Sequence, residues 1–221
     1  MKEYQELIDK YSVKGYESYS NTISQSEWGN VHIGEQYLQK HWLSRMEYES
    51  TWKYIQNDIF VDKTNGLPEL IFLEEFNLIG LRGGTLLDEE TYRKLQKCMY
   101  QAGTKYWFVI QNVGRSDFEP IFRMKYSVDC SWDELMSGNF VSSILFEMCH
   151  HDYFVFGDSA NWGMYAGNDF ESPLRLFGFK SELAPLFREN LIQTTDEWSE
   201  IKDWIPSNYK SIVLPSDRMH D

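Results

Sequence analysis

Tyr153-Phe154-Val155-Phe156-Gly157-Asp158-Ser159-Ala160-Asn161-Trp162-Gly163-Met164-Tyr165 decides the fold class. Two short runs rich in aromatic residues flank five residues of turn chemistry. That pattern predicts two antiparallel strands joined as a hairpin. Downstream, Leu174–Phe179 reads as another strand, and Ser181 as the cap of a helix over 182–191 with Leu183, Leu186, Phe187 and Leu191 inward. Pro185 is tolerated there because it falls in the first turn. Upstream, Lys105–Gln111 (Lys-Tyr-Trp-Phe-Val-Ile-Gln) is apolar on both faces and predicts a central strand. Pro120–Val128 alternates Ile121, Arg123 and Lys125 against Phe122, Met124 and Tyr126, the pattern of a half-exposed strand.

The clearest helix is 89–102. Asp88 caps it, Glu89 and Glu90 complement its positive end, and Gly103 ends it in a left-handed conformation. Ser131 caps a short helix starting at Trp132, and Phe140–Met148 forms another. Asn65-Gly66-Leu67-Pro68 is a turn. The run Leu70–Leu73 is too short for its pattern to separate strand from helix. A long helix is expected over 35–57, with Leu38, Trp42, Met46, Trp52 and Ile55 inward, although the periodicity slips near Glu49. Residues 15–34 read as a loop, while 1–14 and 196–204 read as helices.

Strands and helices mix without regular strand–helix–strand alternation. The expectation is therefore a single α+β domain over 1–221, with a mostly antiparallel sheet and helices packed on it. It divides into a helical N-terminal extension (1–60), a mixed core (61–205) and a tail (206–221).

The net charge of −13 opposes binding to nucleic acid or to an anionic membrane and suits a basic protein partner. No apolar run reaches membrane-spanning length, and Met1–Glu6 is no signal peptide, so a cytoplasmic location is expected. Cys98, Cys130 and Cys149 are widely spaced and form neither a disulfide framework nor a zinc box.

Reactive clusters are few. Cys149-His150-His151-Asp152 offers a thiol beside imidazoles, but neighbouring residues ahead of a strand point in different directions. His32, His41, His150, His151 and His220 form no helical pair, and no metal or cofactor site is expected. Gly80-Leu81-Arg82-Gly83-Gly84-Thr85 leads toward Asp88-Glu89-Glu90, whose charge would repel phosphate, so it reads as a turn. The carboxylate pairs Glu74/Glu75 and Asp133/Glu134 suit an interface better than acid–base catalysis. Trp28, Trp162, Trp198 and Trp204 lie in or beside polar segments, as exposed interface anchors do; Trp198 and Trp204 also fit a docking stripe with Ile201.

Leu67-Pro68-Glu69-Leu70-Ile71-Phe72-Leu73-Glu74-Glu75-Phe76-Asn77, followed by Gly83-Gly84, is similar to the Leu-Pro, helix, Gly-Gly opening of the SMI1/KNR4-like superfamily. Tyr153–Tyr165 resembles its strand, Gly-Asp turn and aromatic strand, and Leu174–Leu191 its closing strand and helix. The resemblance implies that 69–76 is helical. Many bacterial members are immunity proteins, so it also implies a non-catalytic protein that binds and neutralises a toxin domain, here a basic one such as a nuclease. Glu74, Glu75, Asp158, Trp162, Asp169 and Glu171, on turns beside the sheet, are the expected partner-binding residues. The alternatives are a hydrolase using Cys149 with His150 or His151, and a small-ligand-binding or structural subunit.

Overall fold

The hairpin forms as its sequence predicts, with Phe154, Val155 and Phe156 opposite Tyr165, Met164 and Gly163. A computed structural model describes residues 31–115, 120, 122–148, 151–167, 174–192, 194, 196 and 199. Strands β1 (Asn77–Arg82), β2 (Tyr106–Gln111), β3 (Arg123–Ser127), β4 (Tyr153–Gly157), β5 (Trp162–Gly167) and β6 (Leu174–Phe179) form one sheet in the order β1-β6-β5-β4-β2-β3. Every pairing is antiparallel. With its helices, the chain is a single α+β domain.

Both faces of the sheet are covered, which explains why β2 is apolar throughout. Trp107 and Val109 enter one core and Phe108 and Ile110 the other. The first face carries helices α1 (Val31–His41), α4 (Glu89–Gln101), α5 (Trp132–Leu135), α6 (Phe140–Ser142, continued as a π-helix over Ser143–Met148) and α7 (Ala184–Asn190). Helix α4 begins and ends where predicted. The Asp88 carboxylate accepts from Thr91 N–H at 2.8 Å, and Gly103 has φ +76°. Ser131 caps α5 in the same way, accepting from Glu134 N–H. Ser181 instead accepts from the Asn77 side chain at the start of a 3-10 turn, Ser181–Leu183, that leads into α7.

Asp88 has a second role. Arg175 on β6 is buried, and its guanidinium donates to Asp88 Oδ2 at 2.7 Å and to Thr85 and Thr91. Burial pushes the Asp88 pKa up, but the Thr91 N–H and Arg175 together outweigh it and hold the carboxyl below its ordinary value. Asp88→Ala is expected to cost about 2 kcal/mol, from the lost cap and an unpaired buried guanidinium. A depressed folded pKa gives stability that is complete above the ordinary carboxylate range and lost as pH falls through the folded value. Urea unfolding should therefore separate the variant from wild type at pH 7, and the gap should close in acid below about pH 4.

The second face is covered by residues 43–76, including α2 (Arg45–Glu47), a π-helix over Tyr48–Trp52 and α3 (Lys53–Asn57). The expected long helix over 35–57 is thus broken. Trp42 bridges to Met124, and Leu43 N–H donates to Arg123 O, which turns the chain around the edge of the sheet. Ser44 then recaps the helix, and Met46, expected inward, is 79% exposed. The periodicity slip near Glu49 coincides with the π-helical turn, whose extra residue rotates the apolar stripe. Residues 31–34, expected as loop, belong to α1.

Residues 69–76 are not the helix that the resemblance implied. Phe72 bridges to Phe60, Val61 N–H donates to Ile71 O, and Leu73 N–H donates to Ile59 O. Ile71, Phe72 and Phe76 are all buried, so both sides of this segment carry apolar residues and its backbone groups pair with 59–61 instead. Phe60 and Phe72 sit on the cross-strand glycine pair Gly163–Gly178. A methyl group at Gly178 would lie 2.4 Å from the Phe72 ring, so only glycine admits this approach. The described part of the expected N-terminal extension contributes Tyr37, Leu38, Leu43, Tyr48, Ile59 and Phe60 to the two cores. The helix expected at 1–14, and most of that at 196–204, lie outside the described residues.

Candidate functional site

The expected partner-binding residues have different fates. Glu74 and Glu75 occupy an exposed turn just before β1. Asp158 is half-buried, and its carboxylate accepts from the backbone N–H groups of Lys105 and Tyr106, both at 3.2 Å, pinning the β4–β5 turn to the start of β2. Trp162 is a correction. It is fully buried against Phe187, and its indole N–H donates to Thr104 Oγ1 at 3.0 Å, so it is no surface anchor. The hairpin places it on the face that α7 covers, which its polar neighbours in sequence conceal. Asp169, Glu171, Trp28, Trp198 and Trp204 lie outside the described residues.

Cys149 and His150 also lie outside them. Asp152 accepts a 2.5 Å hydrogen bond from the Tyr165 hydroxyl, across the base of the hairpin. Gly83 packs against the Arg175 guanidinium, and Thr85 binds it, so this glycine-rich turn serves Arg175.

The layer over 53–76 presents an acidic strip. Tyr54 on α3 is 68% exposed, and Asp58 follows one turn later. The antiparallel contact between 59–61 and 71–73 brings Asp58 toward Glu74 and Glu75. Asp62 is exposed, and Glu69 pairs with Arg115 at 3.0 Å. Against these five carboxylates the same stretch carries only Lys53 and Lys63. Tyr54 is thus an exposed aromatic with an exposed acid, Asp58, one turn away, the kind of feature expected at Trp162. A cleft of about 280 Å³ opens beside the strip, lined by Arg45, Glu49, Lys53, Asp62, Lys63 and Arg123 among others. Its mixed charges differ from the apolar lining usual for a small-molecule pocket.

No family model, curated protein or solved structure matches this chain. Among the described residues, no helix is long and apolar enough to cross a membrane.

A third constellation escaped sequence reading. His41 at the end of α1, Cys130 just ahead of α5 and Glu134 within α5 bring their donor atoms within 4.8 Å of one another. Cys130 and Glu134 are i, i+4 neighbours around the Ser131 cap, the only local signal; His41 arrives through the fold. His41 and Cys130 are buried, while Glu134 is partly exposed. His41 Nε2 lies 3.6 Å from Glu134 Oε1, and Lys40 Nζ lies 2.6 Å from that oxygen. The His41 ring packs on Tyr37 and Tyr126, with centroids 4.7 and 4.8 Å away. Burial lowers the His41 pKa, against the opposing pull of Glu134 and the Lys125 backbone, so the ring is neutral near pH 7. Burial pushes the Cys130 thiol up to about 12. The Lys40 bond, with help from the Cys130 thiol, holds the Glu134 carboxyl below its ordinary range. A protonated, inaccessible thiol is no nucleophile.

Proposed function

We propose that this chain is an immunity-type binding domain that acts in the cytoplasm and neutralises a basic toxin domain, such as a nuclease, without catalysis of its own. The observation that carries the reading is the set of exposed carboxylates Asp58, Asp62, Glu74 and Glu75 on one stretch of chain, with exposed Tyr54 one turn from Asp58, on a chain of net charge −13. Further support comes from the resemblance of the Tyr153–Tyr165 hairpin to the SMI1/KNR4-like superfamily; the Leu67–Asn77 segment, which is not helical, lends none. The carboxylates steer the partner and meet its Lys and Arg side chains, while Tyr54 supplies desolvated contact area at little entropic cost. Inhibition is steric and electrostatic: the domain covers the basic groups that the toxin uses on its own substrate.

Coexpression with the product of the neighbouring gene tests this reading. The expected result is restored growth of the host cell and a stable complex of the two chains on size exclusion. The absence of both protection and a complex would count against it.

A further inference from the structure

We infer that His41, Cys130 and Glu134 form a site for one zinc-class divalent cation that ties the end of α1 to the start of α5. The three donors are those that zinc prefers, an imidazole nitrogen, a sulfur and a carboxylate oxygen. Zinc bond lengths of about 2.0–2.3 Å in tetrahedral geometry place neighbouring donor atoms about 3.4–3.6 Å apart. His41 Nε2 and Glu134 Oε1 stand at 3.6 Å, and no pair in the group exceeds 4.8 Å, so the donors reach those spacings by closing at most about 1.4 Å.

Charge and surroundings agree with this assignment. A dication bound by one thiolate, one carboxylate and a neutral imidazole is electrically neutral, as a largely buried site requires. The His41 ring is held between Tyr37 and Tyr126. Lys40, 63% exposed, places its ammonium at 2.6 Å from Glu134, where a cation is already favoured. Its exposure lets it swing into water when a metal takes the carboxylate.

Binding is a proton exchange with no redox step. The Cys130 S–H bond breaks, the sulfur–metal bond forms, and one proton leaves to solvent. Glu134 trades the Lys40 ammonium for the metal, and water fills the fourth position. The three donors join α1 to α5, and the water keeps one coordination position open.

The test uses the full chain without a polyhistidine tag, stripped with chelator and then exposed to Zn²⁺ or Co²⁺. Elemental analysis should find one zinc per chain in wild type and in Cys98→Ser, and none in Cys130→Ser. The cobalt form should show a thiolate-to-metal charge-transfer band that Cys130→Ser abolishes and Glu134→Gln weakens. At a hundredfold excess of zinc over its Kd, the midpoint of unfolding should rise by about 5–10 °C. The assignment is overturned if wild type holds no more metal than Cys130→Ser, or if the metal persists in that variant and leaves on substitution of His150 and His151. Should Cys130→Ser fail to fold, the wild-type spectrum decides: a cobalt complex without sulfur charge transfer overturns the site.

Discussion

Replacing Trp162 with alanine is expected to destabilise the domain by about 3–5 kcal/mol, the range for removing a buried aromatic side chain. Its ring is fully buried between β5 and α7, against Phe187, and stacked Phe179 and Phe187 extend the same cluster. The truncation also strips Thr104 Oγ1 of the indole N–H, a buried hydrogen bond worth about a further 1 kcal/mol. Urea unfolding measures the loss directly. Partner affinity, corrected for the folded fraction, should stay unchanged. Unaltered stability with weakened binding would mean that Trp162 is a surface anchor after all.

Phe72→Ala is expected to cost a similar about 3–5 kcal/mol, with a different consequence. Phe72 is buried over Gly178, with Phe60 and Phe76 rings 4.9 and 6.0 Å away. Glycine at 178 leaves no side chain that can fill the space, so the cavity persists. The segment it anchors carries Glu69, Glu74 and Glu75. Amide hydrogen exchange should therefore rise across 58–76 well before it rises in β4 and β5. Partner affinity should fall although no acidic residue has changed, because the strip is no longer pre-organised. Protection of 58–76 equal to wild type would contradict this anchoring.

The features legible in the sequence were those governed by neighbours in the chain. Asp88 caps Thr91, and Ser131 caps Glu134, across three residues, so each cap is written locally. Gly103 and the β4–β5 turn are local in the same way. The run Lys105–Gln111 reads as apolar on both faces, and two covering layers are the reason for its Trp107–Ile110 part. What escaped was decided by distant contacts. The helix over 35–57 breaks because Trp42 and Leu43 pair with β3, some eighty residues ahead. Residues 69–76 are held extended by pairing with 59–61, which no period in their own sequence encodes. Trp162 looked like a surface residue because Gly157–Asn161 before it is polar, yet strand alternation points it inward under α7. The acidic pair Glu74–Glu75 was legible and Tyr54 was not, since exposure of an aromatic on a helix depends on where that helix docks. The His41–Cys130–Glu134 group joins α1 to α5 across 89 positions, beyond any spacing motif.

The most direct test of the binding reading is the association rate of the toxin domain with wild type and with the Asp58→Lys, Glu74→Lys, Glu75→Lys triple variant, across ionic strength. All three side chains are exposed, so folding should be little affected. The account predicts a wild-type rate that falls steeply with salt, and a variant at least about tenfold slower at low salt whose rate has lost most of that dependence. Equal rates with equal salt dependence would contradict it.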